Sequence, residues 1–415
     1  MSENNAKSLD YDVLVAGGGM VGASFALALA NSGLRIAVVD SQDLSKLAGQ
    51  EKAKVNFDPR VSAITPSSQA FLESLAVWQG VLNRRCAPYS DMHVWDADGT
   101  GSIHFNAQEI HAAALGHIVE NSIILAALYE RIAATANIDV LAPVALHALE
   151  AGNHHGRVSI TLEDGRSISA ALLVAADGAN SKVRELAGFQ TKEWDYEHQA
   201  IVCTVKTELP HRATAIQRFM DEGTLAFLPL QQSSELVGTQ QHCSIVWSVL
   251  PEFAKRLMEM DDAGFAIQLQ AGIENKLGKI EHLDTRYSFP LRQRHAVDYV
   301  QPGIALIGDA AHTIHPLAGQ GVNLGFLDAQ ALAEEVQRTH SKHLPIGDLR
   351  FLRRYQRRRI GHNLGMMWVM EGFKRLFADQ PLPLRWLRNV GMSGIDRSAV
   401  IKHQLMRSAM GMEQS

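Results

Sequence analysis

A strand, a glycine-rich turn, a helix and a second strand follow one another near the start of the chain, and this unit restricts the fold most. The apolar segment Tyr11–Ala16 runs directly into G-G-G-M-V-G, and the alanine-rich segment Ala23–Ser32 follows. A second apolar segment, Leu34–Val39, ends at Asp40. This order predicts a βαβ unit of a parallel sheet, which is the arrangement that binds dinucleotides.

The glycines of the turn have separate expected roles. Gly17 allows the tight turn, Gly19 lets the pyrophosphate approach the backbone, and Gly22 allows close packing of helix on strand. The predicted phosphate-binding turn comprises Gly17, Gly19, Met20, Val21 and Gly22.

Asp40 lies about 20 residues beyond the turn, where a carboxylate can hold a ribose diol. The same carboxylate would repel a 2′-phosphate, so the tightly bound dinucleotide is expected to be FAD or NAD rather than NADP. No second G-x-G-x-x-G follows a strand elsewhere in the chain. A nicotinamide would therefore dock without a Rossmann domain of its own.

A long glycine-rich stretch follows the apolar segment Ile304–Ile307, and it points to a flavin. It reads G-D-A-A-H-T-I-H-P-L-A-G-Q-G-V-N-L-G and leads into a predicted helix from Val322 towards Arg338. A carboxylate at a strand end suits a ribityl chain, and a glycine-rich helix N-terminus suits an electron-accepting ring edge. The candidate residues here are Gly308, Asp309, His315, Pro316, Gly319, Gln320, Gly321, Val322 and Asn323.

Two further segments belong to the same predicted site. Asp177 and Gly178 follow another buried strand, and strand ends of a doubly wound sheet face one crevice. Arg60, in the segment D-P-R, has two interpretations. Its guanidinium can serve near a pyrophosphate or flavin, or it is an ordinary surface arginine.

No metal site is predicted. Asp309, His312 and His315 are close in sequence, but on a glycine-rich cofactor turn they make a poor zinc arrangement. One imidazole is expected to stabilise the turn instead, and His315 and Pro316 are weak candidates for positions near the reacting ring. A serine hydrolase lacks support because no G-x-S-x-G is present.

Composition excludes several classes. A net charge of −5 argues against a dedicated nucleic-acid binder. The three cysteines show no metal-ligand spacing, no signal peptide opens the chain, and no apolar window is long enough to span a bilayer. These features predict a cytoplasmic protein.

The expected fold is α/β, with a Rossmann-like FAD-binding domain, an antiparallel β-sheet substrate domain and C-terminal helices. Residues 1–190 and 286–345 are assigned to the first domain and 191–285 to the second, to which a hairpin near 92–105 also contributes. Residues 346–415 form the helical region, which contains six arginines between positions 350 and 359. These arginines indicate either a solvated helix face or attraction to a phosphate-bearing cofactor or anionic lipid.

Together these motifs resemble the FAD-dependent aromatic hydroxylases of the para-hydroxybenzoate hydroxylase class. Within that class, the segments Arg60–Thr65, Leu115–Asn121 and Gly308–Gly325 look like the ubiquinone-biosynthesis hydroxylases. Three segments, Arg60–Ile64, Trp194–Tyr196 and Cys243–Ser248, look closest to the enzyme that hydroxylates C5 of a 2-polyprenylphenol. Ala175 departs from the class, which usually has glycine at that position.

The resemblance implies bound FAD, with NAD(P)H and O2 as co-substrates. Oxygen would reach the phenol ring through a flavin C4a-hydroperoxide. It implies that Asp309 contacts the ribityl chain, that residues Gly319–Asn323 present N–H groups to the flavin edge, and that Pro316 lies above the ring. The implied substrate is a polyprenylated phenol. Such a substrate is compatible with peripheral contact with the inner membrane, with a multiprotein complex of ubiquinone biosynthesis, and with a homo-oligomer.

Other functions stay open at this stage. A hydroxylase for another ring position and a flavin-dependent prenyl-lipid reductase share the scaffold, and a reductase would need no oxygen. A flavin halogenase is disfavoured because W-x-W-x-I-P is absent. A carrier of prenylated cargo need not keep Gly319, Gln320 and Gly321, all of which are present.

Overall fold

The fold was analysed in a computed structural model, which describes residues 9–44, 47, 56–97, 101–150, 157–232, 240–313, 321–377, 396 and 398–411. The described residues form three sheets. The first contains the predicted βαβ unit, the second is a small three-stranded sheet, and the third is a nine-stranded sheet that packs on the second. The expected α/β architecture is confirmed.

The first sheet has eight strands, of which five are parallel and lie in the order β19-β11-β1-β2-β8. Strands β2 and β19 are buried at every residue, which explains why they read as continuous apolar segments rather than alternating ones, whereas the edge strand β8 is partly exposed. The strands are β1 (Leu9–Ala16), β2 (Ile36–Val39), β8 (Ile138–Leu141), β9 (Leu146–Glu150), β10 (Val158–Leu162), β11 (Ser167–Ala175), β18 (Val300–Gln301) and β19 (Ile304–Leu306).

Helices pack on this sheet and on one another. Helix α8 lies against α1 and α9, and α1 also lies against α4. The helices of the described residues are α1 (Met20–Ala28), α2 (Pro66–Ser74), α3 (Trp78–Leu82), α4 (Asn121–Ala133), α5 (Lys182–Leu186), α6 (Pro251–Glu259), α7 (Asp262–Gly272), α8 (Gly321–His340), α9 (Leu349–Phe377) and α10 (Ala399–Ala409).

The carboxyl ends of four parallel strands lie side by side. Ala16 pairs with Val39 on one side and with Ala175 on the other, and Ala175 pairs in turn with Leu306. Parallel strands in register deliver the residues that follow them to one edge of the sheet. The turns after β1, β2, β11 and β19 therefore begin at the same edge.

The second sheet is antiparallel and has the order β3-β7-β4. The third has nine strands, with β20-β17-β12-β15-β14-β13-β5-β6 as its main path and β16 on β12. The remaining strands are β3 (Val61–Ile64), β4 (Ala87–Tyr89), β5 (Asp91–Asp96), β6 (Ser102–Asn106), β7 (Gly116–Glu120), β12 (Thr191–Thr207), β13 (Thr214–Met220), β14 (Gly223–Leu230), β15 (His242–Val249), β16 (Ile280–Leu283), β17 (Tyr287–Ala296) and β20 (His312–Thr313).

The third sheet has two faces with different partners. Alternate residues such as Ile201, Phe227 and Trp247 form one core with helices α6 and α7, and this is called the outer face here. Residues of opposite parity, among them Ala226 and Leu228, pack against the second sheet, and this is called the inner face. The inner face therefore connects the third sheet with the rest of the chain through the second sheet.

The third sheet differs from the sequence-based expectation in two respects. Its strand β5, in the predicted hairpin, joins β13 in parallel rather than antiparallel. Helices α6 and α7 also interrupt a region expected to be β-rich. Local helix signals explain the difference: α6 begins at Pro251, and the side chain of Asp261 caps the N-terminus of α7 by accepting from the backbone N–H of Gly264. The predicted domain boundaries stay a prediction.

Candidate active site

The first glycine turn is held by close contacts that only glycine permits. A Cβ atom on Gly17 would lie 2.4 Å from the carbonyl oxygen of Ala176, and the φ angle of Gly17 is +100°. A Cβ on Gly22 would lie 2.0 Å from the carbonyl oxygen of Gly17. The hydroxyl of Tyr129 donates to the carbonyl oxygen of Gly18 at 2.9 Å and fixes the turn from the α4 side.

Gly19 differs from its neighbours because a Cβ atom there would meet nothing within 4 Å. It is the N-cap residue of α1, and no side chain caps that helix end. An uncapped helix N-terminus beside open space suits an anionic group. The arrangement fits the pyrophosphate of a dinucleotide.

Asp40 is placed at the end of β2 and faces the first turn. Its Oδ2 accepts a hydrogen bond from the backbone N–H of Gly18 at 2.7 Å, and its Oδ1 accepts one from Gln42 at 2.8 Å. Each carboxylate oxygen retains a second lone pair, so the side chain can orient the turn and still accept from a ribose hydroxyl.

Asp177 follows β11 on the other side of β1. Its Oδ2 accepts hydrogen bonds from the backbone N–H groups of Lys182 and Val183 at 2.7 and 3.1 Å, which ties the turn to the start of α5. Its Oδ1 is buried and has no hydrogen-bond partner among the described residues. A buried acceptor without a donor is uncommon, and it fits a site completed by another molecule.

Asp309 follows β19 and Gly308, and its side chain is exposed to solvent. Desolvation nevertheless raises its pKa above the ordinary value, although His312 and Arg60 act in the opposite direction. Solvent access and desolvation together indicate a residue recessed in the protein surface, and this recess is called the cleft here. A carboxylate there can accept hydrogen bonds from a polyol such as a ribityl chain.

Arg184 connects the turn of Asp177 with the turn of Asp309. Its Nη1 donates to the carbonyl oxygen of Ala310 at 2.9 Å, and its Nη2 donates to that of Ala179 at 2.7 Å. The guanidinium is buried, and desolvation together with the neighbouring Arg294 lowers its pKa. Two of the cofactor turns are therefore fixed relative to one another by one side chain.

A buried ionic cluster lies beneath the Asp309 turn. Asp328, which is fully buried in α8, accepts hydrogen bonds from the Nε2 of His312 at 2.5 Å and the backbone N–H of Gly308 at 3.1 Å. Its other oxygen accepts from the Nε of Arg359 at 2.7 Å and the Nδ2 of Asn363 at 3.1 Å. His312 thus stabilises the turn, as the sequence predicts for one imidazole.

Arg60 lies where the two halves of the chain meet. Its guanidinium carbon is 5.6 Å from the ring centre of Phe289 on β17, and its charge acts on Asp309. Residues that pair directly on neighbouring strands lie on the same face of a sheet. Phe289 pairs with Ala200, Ala200 with Ser248, and Ser248 with Thr224. Thr224 lies two residues before Ala226 on the same strand, so Phe289 belongs to the inner face of the third sheet. The inner face therefore borders the cleft that contains Asp309.

The loop that carries Arg60 is held by a buried ion pair. Arg85 donates from its Nε and Nη2 to the two carboxylate oxygens of Glu120 at 2.6 and 2.7 Å. Glu120 also accepts from the backbone N–H of Asp58 at 2.6 Å, and Arg85 lies over the ring of Phe57 at 4.1 Å. A bidentate pair of this kind fixes the loop geometry.

Asn323, in the first turn of α8, uses its side chain within the protein. Its Oδ1 accepts from the backbone N–H of Thr65 at 3.2 Å, and its Nδ2 donates to the carbonyl oxygen of Ala63 at 2.8 Å. These bonds attach the start of α8 to β3. Gly321 and Val322 lie in the same turn and are partly exposed. The candidates His315, Pro316, Gly319 and Gln320 lie outside the described residues.

The six clustered arginines do not act together. Arg350, Arg354 and Arg358 are at the surface and pair with Asp348, Glu335 and Glu334 respectively, whereas Arg359 is buried against Asp328. Ion pairs therefore neutralise four of the six arginines. The sequence also offers the segment Leu384–Arg388 for membrane contact, because it mixes bulky apolar residues with cations. This segment lies outside the described residues.

Among the described residues, no group of three or more His, Cys, Asp or Glu side chains is arranged to hold a metal ion. None of the described helices is both long enough and apolar enough to cross a membrane.

Sequence reasoning missed Asp328, Arg359, Asn363, Glu120 and Arg85. One signal could have found two of them. Leu352, Tyr355, Arg359 and Asn363 recur at intervals of three and four residues, and all are buried. A cation and an amide in such a helical stripe indicate buried polar partners elsewhere in the chain.

Comparisons with known proteins identify the family to which the chain belongs. The FAD binding domain family matches residues 10–343 of the chain. The 3-demethoxyubiquinol 3-hydroxylase of Escherichia coli strain K12 is 35% identical over 401 residues, covering 97% of this chain and 98% of the relative. The mitochondrial ubiquinone biosynthesis monooxygenase COQ6 of Xenopus tropicalis is 33% identical over 444 residues, covering 96% and 93%.

A solved structure shows the same fold. The p-nitrophenol 4-monooxygenase PnpA of Pseudomonas putida DLL-E4 superposes with a TM-score of 0.75 at 17% identity, covering 98% of this chain and 100% of that one. The family match and the relative at 35% identity show that the protein is a FAD-dependent monooxygenase that uses NAD(P)H and O2 as co-substrates. Within that class, the chain belongs to the family of the ubiquinone-biosynthesis hydroxylases.

Proposed function

We propose that this enzyme hydroxylates the aromatic ring of a polyprenylated phenol in ubiquinone biosynthesis, at C5 of a 2-polyprenylphenol. The relative at 35% identity is named as a 3-demethoxyubiquinol 3-hydroxylase and the relative at 33% as a ubiquinone biosynthesis monooxygenase, and the similarity extends over both halves of the chain. The choice of C5 rests on the resemblance of the segments Arg60–Ile64, Trp194–Tyr196 and Cys243–Ser248.

One structural observation carries the choice of an apolar aromatic substrate. Tyr287 and Phe289 are 42% and 37% exposed, although large aromatic side chains are usually buried. Both pair with residues of the inner face, Val202 and Ala200, and Phe289 lies next to Arg60. Exposed aromatic surface that borders a cofactor cleft suits an apolar ring and tail.

The cofactor is proposed to lie along the carboxyl ends of the parallel strands. Gly17, Gly19 and Gly22 with the intervening Met20 and Val21 would hold the pyrophosphate, and Asp40 the adenosine ribose. The remaining proposed contacts are with Arg60, Asp177, Gly178, Gly308, Asp309, Pro316, Gly319, Gln320, Gly321, Val322 and Asn323. Bound FAD would accept a hydride from NAD(P)H and, once reduced, activate O2.

The protein's contribution is then positioning and exclusion of water. Asp309 would orient the ribityl chain, and the backbone N–H groups at the start of α8 would stabilise negative charge on the ring edge. The inner face of the third sheet would cover the ring and keep water away from the reacting oxygen. His315 is retained as a candidate for interaction with the phenol.

A second ring position has its own support. The Escherichia coli relative, at 35% identity, is named as a 3-hydroxylase of demethoxyubiquinol. The alternative is that this chain acts on that later, more substituted ring. The two activities differ in substrate and in product, so one assay separates them.

The assay supplies purified protein with FAD, NADH or NADPH, and either 2-polyprenylphenol or demethoxyubiquinol under ¹⁸O₂. We expect a substrate-dependent loss of NAD(P)H and a C5-hydroxylated product that contains one labelled oxygen atom. Labelled product from demethoxyubiquinol alone would support the second position instead. Turnover of a prenylated substrate without oxygen would identify a reductase and overturn the proposal.

Complementation provides an independent test. Strains that each lack one ring hydroxylase of the pathway would receive the gene, and ubiquinone would be quantified. Restoration in the C5-deficient strain alone is the expected result, and failure in that strain with success in another would contradict it.

We also propose peripheral membrane contact, because a prenylated phenol resides in the bilayer. Full-length protein should co-sediment with vesicles of inner-membrane lipid composition. Absence of binding to these vesicles, with and without substrate, would reject this contact. A multiprotein complex and a homo-oligomer are tested by the mass of the native assembly.

A further inference from the structure

We propose that Arg359 and Asn363 of α9 are positioning residues of the FAD site, which act through Asp328 on the turn that carries Asp309. Both residues lie beyond the segment 10–343 that matches the FAD binding domain family. Their role therefore does not follow from membership of that family. It follows from the contacts of α9 with the floor of the cleft.

The carboxylate of Asp328 joins two parts of the chain. One oxygen accepts from the backbone N–H of Gly308 and from His312, which precede and follow Asp309 by one and three residues. The other accepts from Arg359 and Asn363. Four donors use the four lone-pair sites of a carboxylate, so its position is fully determined.

Burial makes this arrangement sensitive to change. Asp328 and Asn363 are 0% exposed, and Arg359 is 2% exposed. A second bond, from Nη2 of Arg359 to Oδ1 of Asn363 at 2.8 Å, locks the two α9 side chains together. Removal of one partner leaves a buried charge or donor uncompensated, and the neighbouring groups must move.

Helix α9 holds the same strand end in a second way. The hydroxyl of Tyr355, one turn before Arg359, donates to the carbonyl oxygen of Leu306 at 2.7 Å. Leu306 is the last residue of β19 and lies two residues before Gly308. The contacts of α9 therefore converge on the segment that leads into the Asp309 turn.

A purely structural role is the alternative, and it makes a different prediction. If the cluster only stabilises packing, its loss lowers the melting temperature and leaves the folded FAD site unchanged. If the cluster positions Asp309, its loss also changes the affinity for FAD and the environment of the bound flavin at saturating FAD.

The test compares Arg359→Met with Arg358→Met in the full-length protein. Arg358 is the adjacent residue, is 55% exposed at its side chain, and also pairs with α8 through Glu334. We expect Arg359→Met to weaken FAD binding by about 10- to 100-fold and to alter the visible circular dichroism of bound FAD. Arg358→Met should match the wild type in both measurements.

Asn363→Leu keeps the charge of Arg359 and removes only the amide. This variant therefore tests whether α9 positions the FAD site if Arg359→Met does not fold. It should weaken FAD binding several-fold with the same change in circular dichroism. Equal FAD affinity and equal spectra in the wild type and in the folded variants at positions 359 and 363 would overturn the proposal.

The inference rests on the proposed contact between Asp309 and FAD, which Asp309→Asn tests separately. Unchanged FAD binding in Asp309→Asn would reject that contact. A loss in Asp309→Asn with no change in either α9 variant would reject only the role of α9.

Discussion

The guanidinium carbon of Arg60 lies 5.6 Å from the ring centre of Phe289, and this pair joins the two halves of the molecule. Arg60 comes from a loop held by the buried pair of Arg85 and Glu120, whereas Phe289 belongs to the inner face of the third sheet. A cation over an aromatic face is stabilised electrostatically. The contact therefore marks one wall of the cleft that contains Asp309.

Shortening the aromatic side chain should affect substrate and not cofactor. Phe289→Ala is expected to raise the KM for a polyprenylated phenol by about tenfold, because it removes apolar contact area, and to leave FAD affinity unchanged. Steady-state kinetics and a FAD titration measure the two quantities. Ile267→Ala is the matched control, since Ile267 is 61% exposed on α7 behind the outer face. Equal KM values for the two variants would contradict the placement of the substrate.

The glycine turn allows binding and folding to be separated. In Gly19→Ala the new methyl group meets no protein atom within 4 Å, so the free energy of unfolding of the apoprotein should change by less than about 1 kcal/mol. The methyl group would nevertheless occupy the space proposed for the pyrophosphate. Isothermal titration with FAD should show a loss of affinity of at least about tenfold.

Gly17→Ala is the contrasting variant in the same turn. Its methyl group would contact the carbonyl oxygen of Ala176 at 2.4 Å, in a backbone conformation that favours glycine. The apoprotein should therefore lose about 3 kcal/mol of stability in urea denaturation. If Gly19→Ala unfolds as easily as Gly17→Ala, the space beside α1 is not a ligand site.

Asp309 is expected to oppose apoprotein stability and support function. Desolvation raises its pKa in the folded protein, so the native state binds this proton more tightly than the unfolded state. Asp309 therefore stabilises the folded apoprotein while it is protonated at acidic pH, and this stabilisation is lost as the pH rises through the raised pKa. Asp309→Asn should melt at a higher temperature than the wild-type apoprotein at neutral pH, with the difference closing at acidic pH.

The same variant should bind FAD about tenfold more weakly, since a charge-assisted bond to the ribityl chain becomes a neutral one. Calorimetry of the apoprotein and a fluorescence titration with FAD provide the two measurements. A lower melting temperature at neutral pH would contradict the desolvated environment of Asp309.

Local patterns predicted the parts of the site that the backbone itself builds. The turns at Gly17, Asp177 and Asp309 each follow an apolar strand, and the parallel register places all three strands beside one another. Chain order, strand type and glycine spacing are local properties, so the sequence expresses them directly.

The side-chain clusters behind those turns were not predictable in the same way. Asp328 and Arg359 are 31 residues apart, and Arg85 and Glu120 are 35 apart, so each pair depends on how whole helices and strands pack. Arg359 is also one of six arginines in a ten-residue segment, so the sequence alone does not distinguish the one that is buried. Tertiary packing, rather than composition, selects the buried cation.

Asp328 gives the fold a defined response to acid. Desolvation opposes its ionisation, but His312 and Arg359 outweigh that effect and lower its pKa to about 2. The unfolded chain binds the proton more tightly, so the stabilisation is complete above the ordinary pKa near 4 and is lost as the pH falls from there towards 2.

Asp328→Asn should therefore destabilise the protein most at neutral pH, by about 3 kcal/mol, because Arg359 then lacks its buried counter-charge. Urea denaturation at pH 7 and at intervals below pH 4 should show the gap between wild type and variant narrowing with acid. Asp348→Asn is the control, because Asp348 pairs with Arg350, whose side chain is 79% exposed. The free energy of unfolding of this variant should stay within about 0.5 kcal/mol of the wild type. A carboxylate that fixes four donors cannot be replaced without loss of stability. If wild type and Asp328→Asn differ equally little in free energy of unfolding at neutral pH, the buried cluster does not hold the Asp309 turn.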